Sequence, residues 1–64
     1  MLSELQMEML RHLKDHGPCY LAYVFEDRQN LSADYAGLYE GDYIFMDVSN
    51  SDRDTITQKG LNAI

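Results

Sequence analysis

Apolar positions in the first part of the chain recur at the spacing of an α-helix. Leu2, Leu5, Met9 and Leu13 follow one another at intervals of three and four residues, with Leu10 beside them. This spacing places the five side chains on one face of an amphipathic helix.

The predicted first helix has sequence signals at both ends. Ser3 and Gln6 have the spacing of a capping box, in which each side chain binds the backbone N–H of the other residue. At the other end, Gly17 suits the C-terminal cap and Pro18 cannot continue the helix. We therefore predict that this helix ends at about His16.

The next apolar run, residues 19–25, reads CYLAYVF. Periodicity alone does not decide whether such a run is a helix or a buried strand. Leu21, Val24 and Phe25 lie three and four residues apart, and Pro18 is favoured at the first position of a helix. We predict a second helix over residues 19–26, whereas a strand here would favour a generic α+β domain.

A third helix is predicted to begin at Leu31 and Ser32 and to close at Gly41 and Asp42. Ser32 is the expected N-cap, and Asp34 lies in the first turn, where the helix dipole favours an acid. Tyr35, Leu38 and Tyr39 are predicted to lie on one face of this helix.

The remaining residues predict a β-hairpin and a short helix. Residues 43–48 form a β-type run, residues 49–52 a turn cluster, and residues 53–56 a return strand. Thr57 is expected to cap a final helix over residues 58–64, with Leu61 and Ile64 toward the core. Gly60 costs this helix roughly 1 kcal/mol relative to alanine, so we expect it to let another element approach closely.

This order of elements resembles the winged-helix family. Residues 56–64, ITQKGLNAI, are similar to the segment by which many winged-helix regulators leave the second strand of the wing. Residues 38–44, LYEGDYI, are similar to the passage from the recognition helix into the wing. The resemblance implies an α+β fold, mainly α, in one domain of residues 1–64: three helices, a two-stranded hairpin wing and a short C-terminal helix.

The resemblance also implies a function, that of a small DNA-binding transcriptional regulator of the prokaryotic or phage type. In the family, the third helix enters the major groove and the wing touches the DNA backbone. Carried over, residues 30–40 would be the reading helix and residues 49–54 the wing tip. The implied nucleic-acid contacts are Arg28, Asn30, Ser32, Tyr35, Tyr39 and Arg53.

The charge distribution favours a second use of the same fold. The net charge is −6, and residues 26–54 carry eight acids against two arginines. Such a segment repels a polyanion, and residues 31–46 contain none of the Lys, Arg, Asn and Gln side chains that read base edges. The alternative is a protein-interaction module that meets a basic partner or a second copy of the chain, as in a homodimer. Tyrosines suit such contacts, and the candidates are Tyr20, Tyr23, Tyr35, Tyr39 and Tyr43.

The sequence offers one candidate metal site and one candidate calcium loop. His12, His16 and Cys19 have ligand types and spacing that could hold zinc, but histidines near a helix C-terminus are also favourable as solvated cations. The acidic turn that begins at Asp47 lacks the glycine and glutamate that an EF-hand requires. We predict no bound metal.

The motifs, the apolar runs and the cysteine count of the chain limit the classes of protein to which it could belong. We expect no enzymatic activity, cofactor or small-molecule substrate, because the chain has no nucleophile elbow or phosphate loop and is too short to build a large pocket. The longest apolar run has seven residues, whereas a membrane-spanning helix needs roughly 20. The single cysteine excludes an internal disulfide and fits a reducing compartment. We therefore expect a cytoplasmic protein.

Overall fold

The computed structural model describes all residues of the chain, 1–64. The elements follow in the order α1 (Glu4–His16), α2 (Leu21–Val24), α3 (Leu31–Glu40), β1 (Ile44–Asp47), β2 (Arg53–Ile56) and α4 (Gln58–Asn62), with a 3₁₀ turn, Val48–Asn50, between the strands. The predicted class is confirmed: the fold is α+β and mainly α, with a two-stranded antiparallel hairpin. None of the helices is long and apolar enough to cross a membrane.

Helix α1 has the ends that the sequence predicts. The Ser3 hydroxyl accepts a hydrogen bond from Gln6 N at 3.0 Å, and the Gln6 side chain accepts one from Ser3 N at 2.8 Å, which completes the capping box. Gly17 ends the helix with a φ of 84°, a left-handed value that glycine adopts without the penalty of a Cβ.

The core lies between α1, α3 and the hairpin. Four side chains of α1 are buried in it, and each of α2, α3 and β1 contributes one. The members of this cluster are Leu5, Met9, Leu10, Leu13, Leu21, Leu38 and Ile44. The leucine stripe of the first helix is therefore the largest part of the core, as its periodicity predicts.

The segment between α1 and α3 differs from the prediction. Only Leu21–Val24 is helical, whereas Cys19 is extended and forms an isolated antiparallel bridge with Asp54. Cys19 N donates to Asp54 O at 3.2 Å, and Asp54 N donates to Cys19 O at 2.8 Å. The predicted helix over residues 19–26 is thus wrong at both ends, and Pro18 does not start it, because pairing with β2 holds the front of the segment extended.

Helix α3 begins at Leu31, but its N-cap residue is not the predicted one. Asn30 occupies the N-cap position in the left-handed region, with a φ of 62° and no side-chain cap hydrogen bond, and Ser32 lies inside the helix. The prediction of Ser32 as the cap was therefore wrong. Asp34 lies in the first turn as predicted, and its carboxylate accepts a hydrogen bond from the Ser3 hydroxyl at 3.0 Å, which ties α3 to the start of α1.

The hairpin and α4 follow the sequence closely. Ile44 pairs with Ile56 and Asp47 with Arg53 across the two strands. Thr57 caps α4 by accepting a hydrogen bond from Gly60 N at 3.1 Å. A Cβ on Gly60 would overlap the Tyr43 carbonyl oxygen and lie 2.7 Å from Ile56 Cγ1.

That close approach confirms the predicted reason for the glycine. Helix α4 ends at Asn62, two residues before its predicted end. Of the two predicted core residues, Ile64 packs against the core cluster and Leu61 is half-buried.

Candidate functional site

One carboxylate, that of Asp54, is buried at the junction of several elements. Asp54 lies on β2 and is 3% exposed. Its Oδ1 accepts hydrogen bonds from the hydroxyls of Tyr35 at 2.6 Å and Tyr39 at 2.5 Å, and its Oδ2 accepts one from Leu21 N at 3.0 Å. We call these groups the Asp54 cluster. Because both carboxylate oxygens have donors, the charge avoids the large penalty of an unsatisfied buried group.

The two tyrosines of the Asp54 cluster are held as proton donors. Their rings pack edge to face with centroids 5.1 Å apart. Burial, followed by the hydrogen bond to Asp54, raises the pKa of both Tyr35 and Tyr39 above the ordinary value of tyrosine. Their hydroxyls are therefore engaged within the chain, although the sequence analysis assigned them to DNA or to a protein partner.

Two cations near α3 and the hairpin are also engaged within the chain. Arg28 makes a two-pronged ion pair with Glu8, at 2.7 and 3.2 Å, and hydrogen bonding from Arg28 lowers the pKa of Glu8. Arg53 Nη1 donates to the Asn50 side chain at 3.1 Å. These two arginines are the cations among the implied nucleic-acid contacts, and each would have to change partners to meet DNA.

The solvent-facing side of α3 carries only small and acidic side chains. Its exposed residues are Ser32, Ala33, Ala36 and Glu40. None of them is the arginine, lysine, asparagine or glutamine that reads base edges in a major groove. Asn30, just before the helix, is exposed and is the one amide of the predicted DNA-contact set.

The five tyrosines do not form one surface. Tyr35 and Tyr39 turn their hydroxyls inward, and Tyr43 is half-buried beneath the Lys59 ammonium, which lies 4.6 Å from its ring centroid. Tyr20 and Tyr23 lie together on the outside, with edge-to-face rings 6.3 Å apart. The predicted protein interface is therefore divided, and its exposed part is the pair at α2.

The acids of residues 26–52 remain largely in water. Asp34 and Asp47 are half-buried, and each accepts a hydrogen bond from a serine of this chain. The others are exposed, and we call them the acidic surface: Glu26, Asp27, Glu40, Asp42 and Asp52. The only basic side chain in this stretch is Arg28, whose charge is offset by Glu8.

The structure does not assemble the candidate zinc ligands. The rings of His12 and His16 lie 4.5 Å apart, but Cys19 is drawn into its bridge with Asp54. No group of three or more His, Cys, Asp or Glu side chains is placed to hold a metal ion. Burial, together with the nearby charge of Asp54, raises the pKa of the Cys19 thiol, which disfavours the thiolate that binds metals.

Sequence reasoning missed the role of Asp54, which it grouped with the acids of the turn. A signal was nonetheless present. Asp54 and Ile56 are two residues apart on one strand, so they point to the same face of the hairpin, and Ile56 packs against the core. An acid on that face requires donors, and Tyr35 and Tyr39 stand at adjacent turns of α3.

Comparisons of the chain with protein-family models, with curated proteins and with solved structures find no match. The function proposed below therefore rests on the contacts and charges of this chain, together with the resemblance of its motifs to the winged-helix family.

Proposed function

We propose that this protein is a protein-interaction module of the winged-helix type, which binds a basic partner through its acidic surface and does not read DNA with α3. The observation that carries the proposal is the solvent-facing side of α3. It ends in Glu40, and its other exposed residues, Ser32, Ala33 and Ala36, are short. A helix of this composition lacks the side chains for base readout.

Electrostatics supports the same proposal. Affinity for DNA comes largely from neutralising phosphates with lysine and arginine, and here Arg28 and Arg53 are bound to other groups of the chain. The exposed acids produce a potential of the opposite kind, which speeds the encounter with a cationic partner and repels a polyanion. The role is one of binding, and the free thiol of Cys19 supports a reducing, cytoplasmic setting for it.

A second candidate, direct DNA binding by a transcriptional regulator, is favoured by the arrangement of the elements. The chain runs through three helices, a two-stranded hairpin and a short final helix, which is the order that the winged-helix resemblance implies. In this role the contacts available from α3 and the turn would be Asn30, Ser32 and Arg53, and a second copy of the chain would supply further cations.

An amide NMR titration of the labelled protein distinguishes these two functions. Hexalysine and a short DNA duplex are added to separate samples at low ionic strength, where charge attraction is strongest. We expect hexalysine to shift amides within residues 26–52, with shifts that fade as salt is added, and the duplex to shift none. Shifts caused by the duplex in residues 30–40 and 49–54 would instead establish the DNA-binding function.

Charge-matched variants test whether binding depends on the acidic surface or only on net charge. Three double variants each remove two acids: Glu26→Gln with Asp27→Asn, Glu40→Gln with Asp42→Asn, and the control Glu4→Gln with Asp15→Asn on α1. We expect at least one of the first two to weaken hexalysine binding severalfold, and the control to have little effect. Equal weakening in all three would show that net charge alone attracts the peptide.

A further inference from the structure

The outer side of α2 exposes adjacent apolar side chains. Tyr23 is 75% exposed and Val24 is 46% exposed, whereas Leu21 of the same helix is fully buried. Tyr20, just before the helix, is 38% exposed. We call Tyr20, Tyr23 and Val24 the α2 patch. Exposed aromatic side chains that lie together are typical of binding surfaces.

Contacts with the hairpin hold the α2 patch in place. The Tyr20 hydroxyl donates a hydrogen bond to Ser51 O at 2.6 Å, which anchors the ring on the turn between the strands. Tyr23 packs against Tyr20 with an interplanar angle of 80°. Because Tyr20 is fixed at both ends, Tyr23 has a firm support, and a ligand on its ring would meet a surface that is already ordered.

Exposed acids neighbour the α2 patch along the chain and next to its contact with the hairpin. Glu26 and Asp27 follow α2 directly and are exposed, and Asp52 is next to Ser51, the anchor of Tyr20. Of the two cations close by, Arg28 is paired with Glu8, whereas Arg53 donates to the neutral Asn50 side chain and keeps its charge beside Tyr20, where the exposed acids outnumber it. An aromatic centre with an acidic rim is complementary to a segment that carries both apolar and cationic side chains.

We propose that the α2 patch is the docking site for an arginine-containing, apolar segment of a partner protein. This inference rests on the proposed function and gives it a location. A guanidinium of the partner stacks on the Tyr23 ring beside Glu26 and Asp27, and an aliphatic side chain covers Val24.

Arginine fits this site better than lysine, because its planar, weakly hydrated head stacks on an aromatic ring. The chain contains one such pair already, with Arg53 5.5 Å from the centroid of the Tyr20 ring. A second copy of this chain is a poor occupant, because it would bring the same acidic rim against Glu26 and Asp27.

Three blocked pentapeptides serve as probes: RLRLR, KLKLK with the same charge, and RGRGR without apolar side chains. Each is titrated into the labelled protein and followed by amide NMR. We expect RLRLR to shift residues 20–27 and 51–52 and to bind severalfold more tightly than either of the other peptides. Equal binding of RLRLR and KLKLK, or of RLRLR and RGRGR, would overturn the proposed chemistry.

A pair of variants tests the location. Tyr23→Gln removes the exposed ring, and Phe45→Thr removes another exposed aromatic ring, on β1, as the matched control. We expect Tyr23→Gln to weaken RLRLR binding roughly three- to fivefold, the size expected for a lost cation–π contact, and Phe45→Thr to leave it unchanged. Unchanged amide spectra away from each mutation establish that both variants are folded.

The outcomes separate the docking proposal from the function on which it rests. If RLRLR binds but shifts residues around Glu40 and Asp42, and Tyr23→Gln has no effect, the docking site is wrong and the interaction function stands. If neither RLRLR nor hexalysine binds, both proposals fail. If the amide signals of the α2 patch shift with protein concentration in the absence of peptide, the occupant is a second copy and the docking proposal is overturned.

Discussion

Asp52 and Asp54 lie two residues apart, on the turn and on the return strand of one hairpin, and they have opposite environments. Asp52 is exposed in the left-handed region, with a φ of 59°. Asp54 is buried and accepts hydrogen bonds from Tyr35, Tyr39 and the main chain of Leu21. The acids of this chain therefore differ in role. Asp54 joins β2 to α2 and α3, while the acidic surface remains free to meet another molecule.

This division explains how a small, strongly acidic chain can remain folded. A domain of this size buries a modest fraction of its surface and is only marginally stable. Repulsion among exposed acids is weak because water and salt screen it, whereas one unsatisfied buried carboxylate would cost several kcal/mol. The Asp54 cluster avoids that cost by supplying three donors, all of them neutral.

The largest expected effect comes from removing the buried carboxylate. Asp54→Ala removes the carboxylate that accepts from two hydroxyls and one backbone N–H, and each donor left unsatisfied costs about 1–3 kcal/mol. We expect the free energy of unfolding in urea to fall by at least about 3 kcal/mol. The control Asp52→Asn, which keeps a side chain that tolerates the left-handed region, should change it by no more than about 0.5 kcal/mol. Equal losses of unfolding free energy in the two variants would show that the buried and the exposed carboxylate do not differ in structural role.

The next effect separates the two tyrosines that share Asp54 Oδ1. Tyr35→Phe and Tyr39→Phe each remove one hydrogen bond to a carboxylate, which is worth about 1.5–3 kcal/mol. Because the remaining hydroxyl still serves Oδ1 in each single variant, we expect the double variant to lose more than the sum of the two. Urea unfolding of the wild type, the two single variants and the double variant gives the coupling energy between the two tyrosines. Strict additivity of the losses in unfolding free energy would show that the tyrosines do not act together.

Alkaline pH provides a third test of the same cluster. The folded-state pKa values of Tyr35 and Tyr39 are raised, so the unfolded chain loses these protons first. Their contribution to stability is therefore complete below the unfolded pKa of about 10 and declines as pH rises above it. We expect the free energy of unfolding to fall between about pH 9 and pH 11, and to fall less steeply in Tyr39→Phe. An equal fall of the unfolding free energy with pH in the wild type and in Tyr39→Phe would contradict the raised pKa of Tyr39.

The smallest expected change in unfolding free energy comes from substituting the exposed residue, Asp52. Asp52 holds a positive φ, which costs a residue with a Cβ about 1 kcal/mol, and glycine adopts it freely. Because glycine also increases the entropy of the unfolded chain, we expect Asp52→Gly to raise the free energy of unfolding by only about 0.5 kcal/mol in urea melts. Destabilisation would show that the Asp52 side chain has a structural role.

Features with local causes could be predicted from the sequence. The capping box of Ser3 and Gln6, the stop at Gly17, the strand pairing of the hairpin and the cap at Thr57 depend on residues that are close in the chain. The buried stripe of α1 follows from helical periodicity alone. Gly60 was predictable because its cost inside a helix points to a close neighbour.

Features with distant causes could not be predicted in the same way. Cys19 is extended because its main chain bonds to Asp54, thirty-five positions further along the chain. Asn30 displaces Ser32 as the cap because the preceding loop enters α3 through a left-handed residue. The orientation of Tyr35 and Tyr39 toward Asp54 depends on how α3 packs on the hairpin, and that packing decides which predicted contact residues remain free.

We propose that the exposed acids serve protein binding and that α3 does not serve DNA. Fluorescence anisotropy at low ionic strength tests it most directly, with labelled hexalysine and a labelled DNA duplex as two probes of the wild-type protein. We expect a saturable rise in anisotropy for hexalysine that salt abolishes, and no saturable rise for the duplex. A saturable rise for the duplex, together with none for hexalysine, would contradict it.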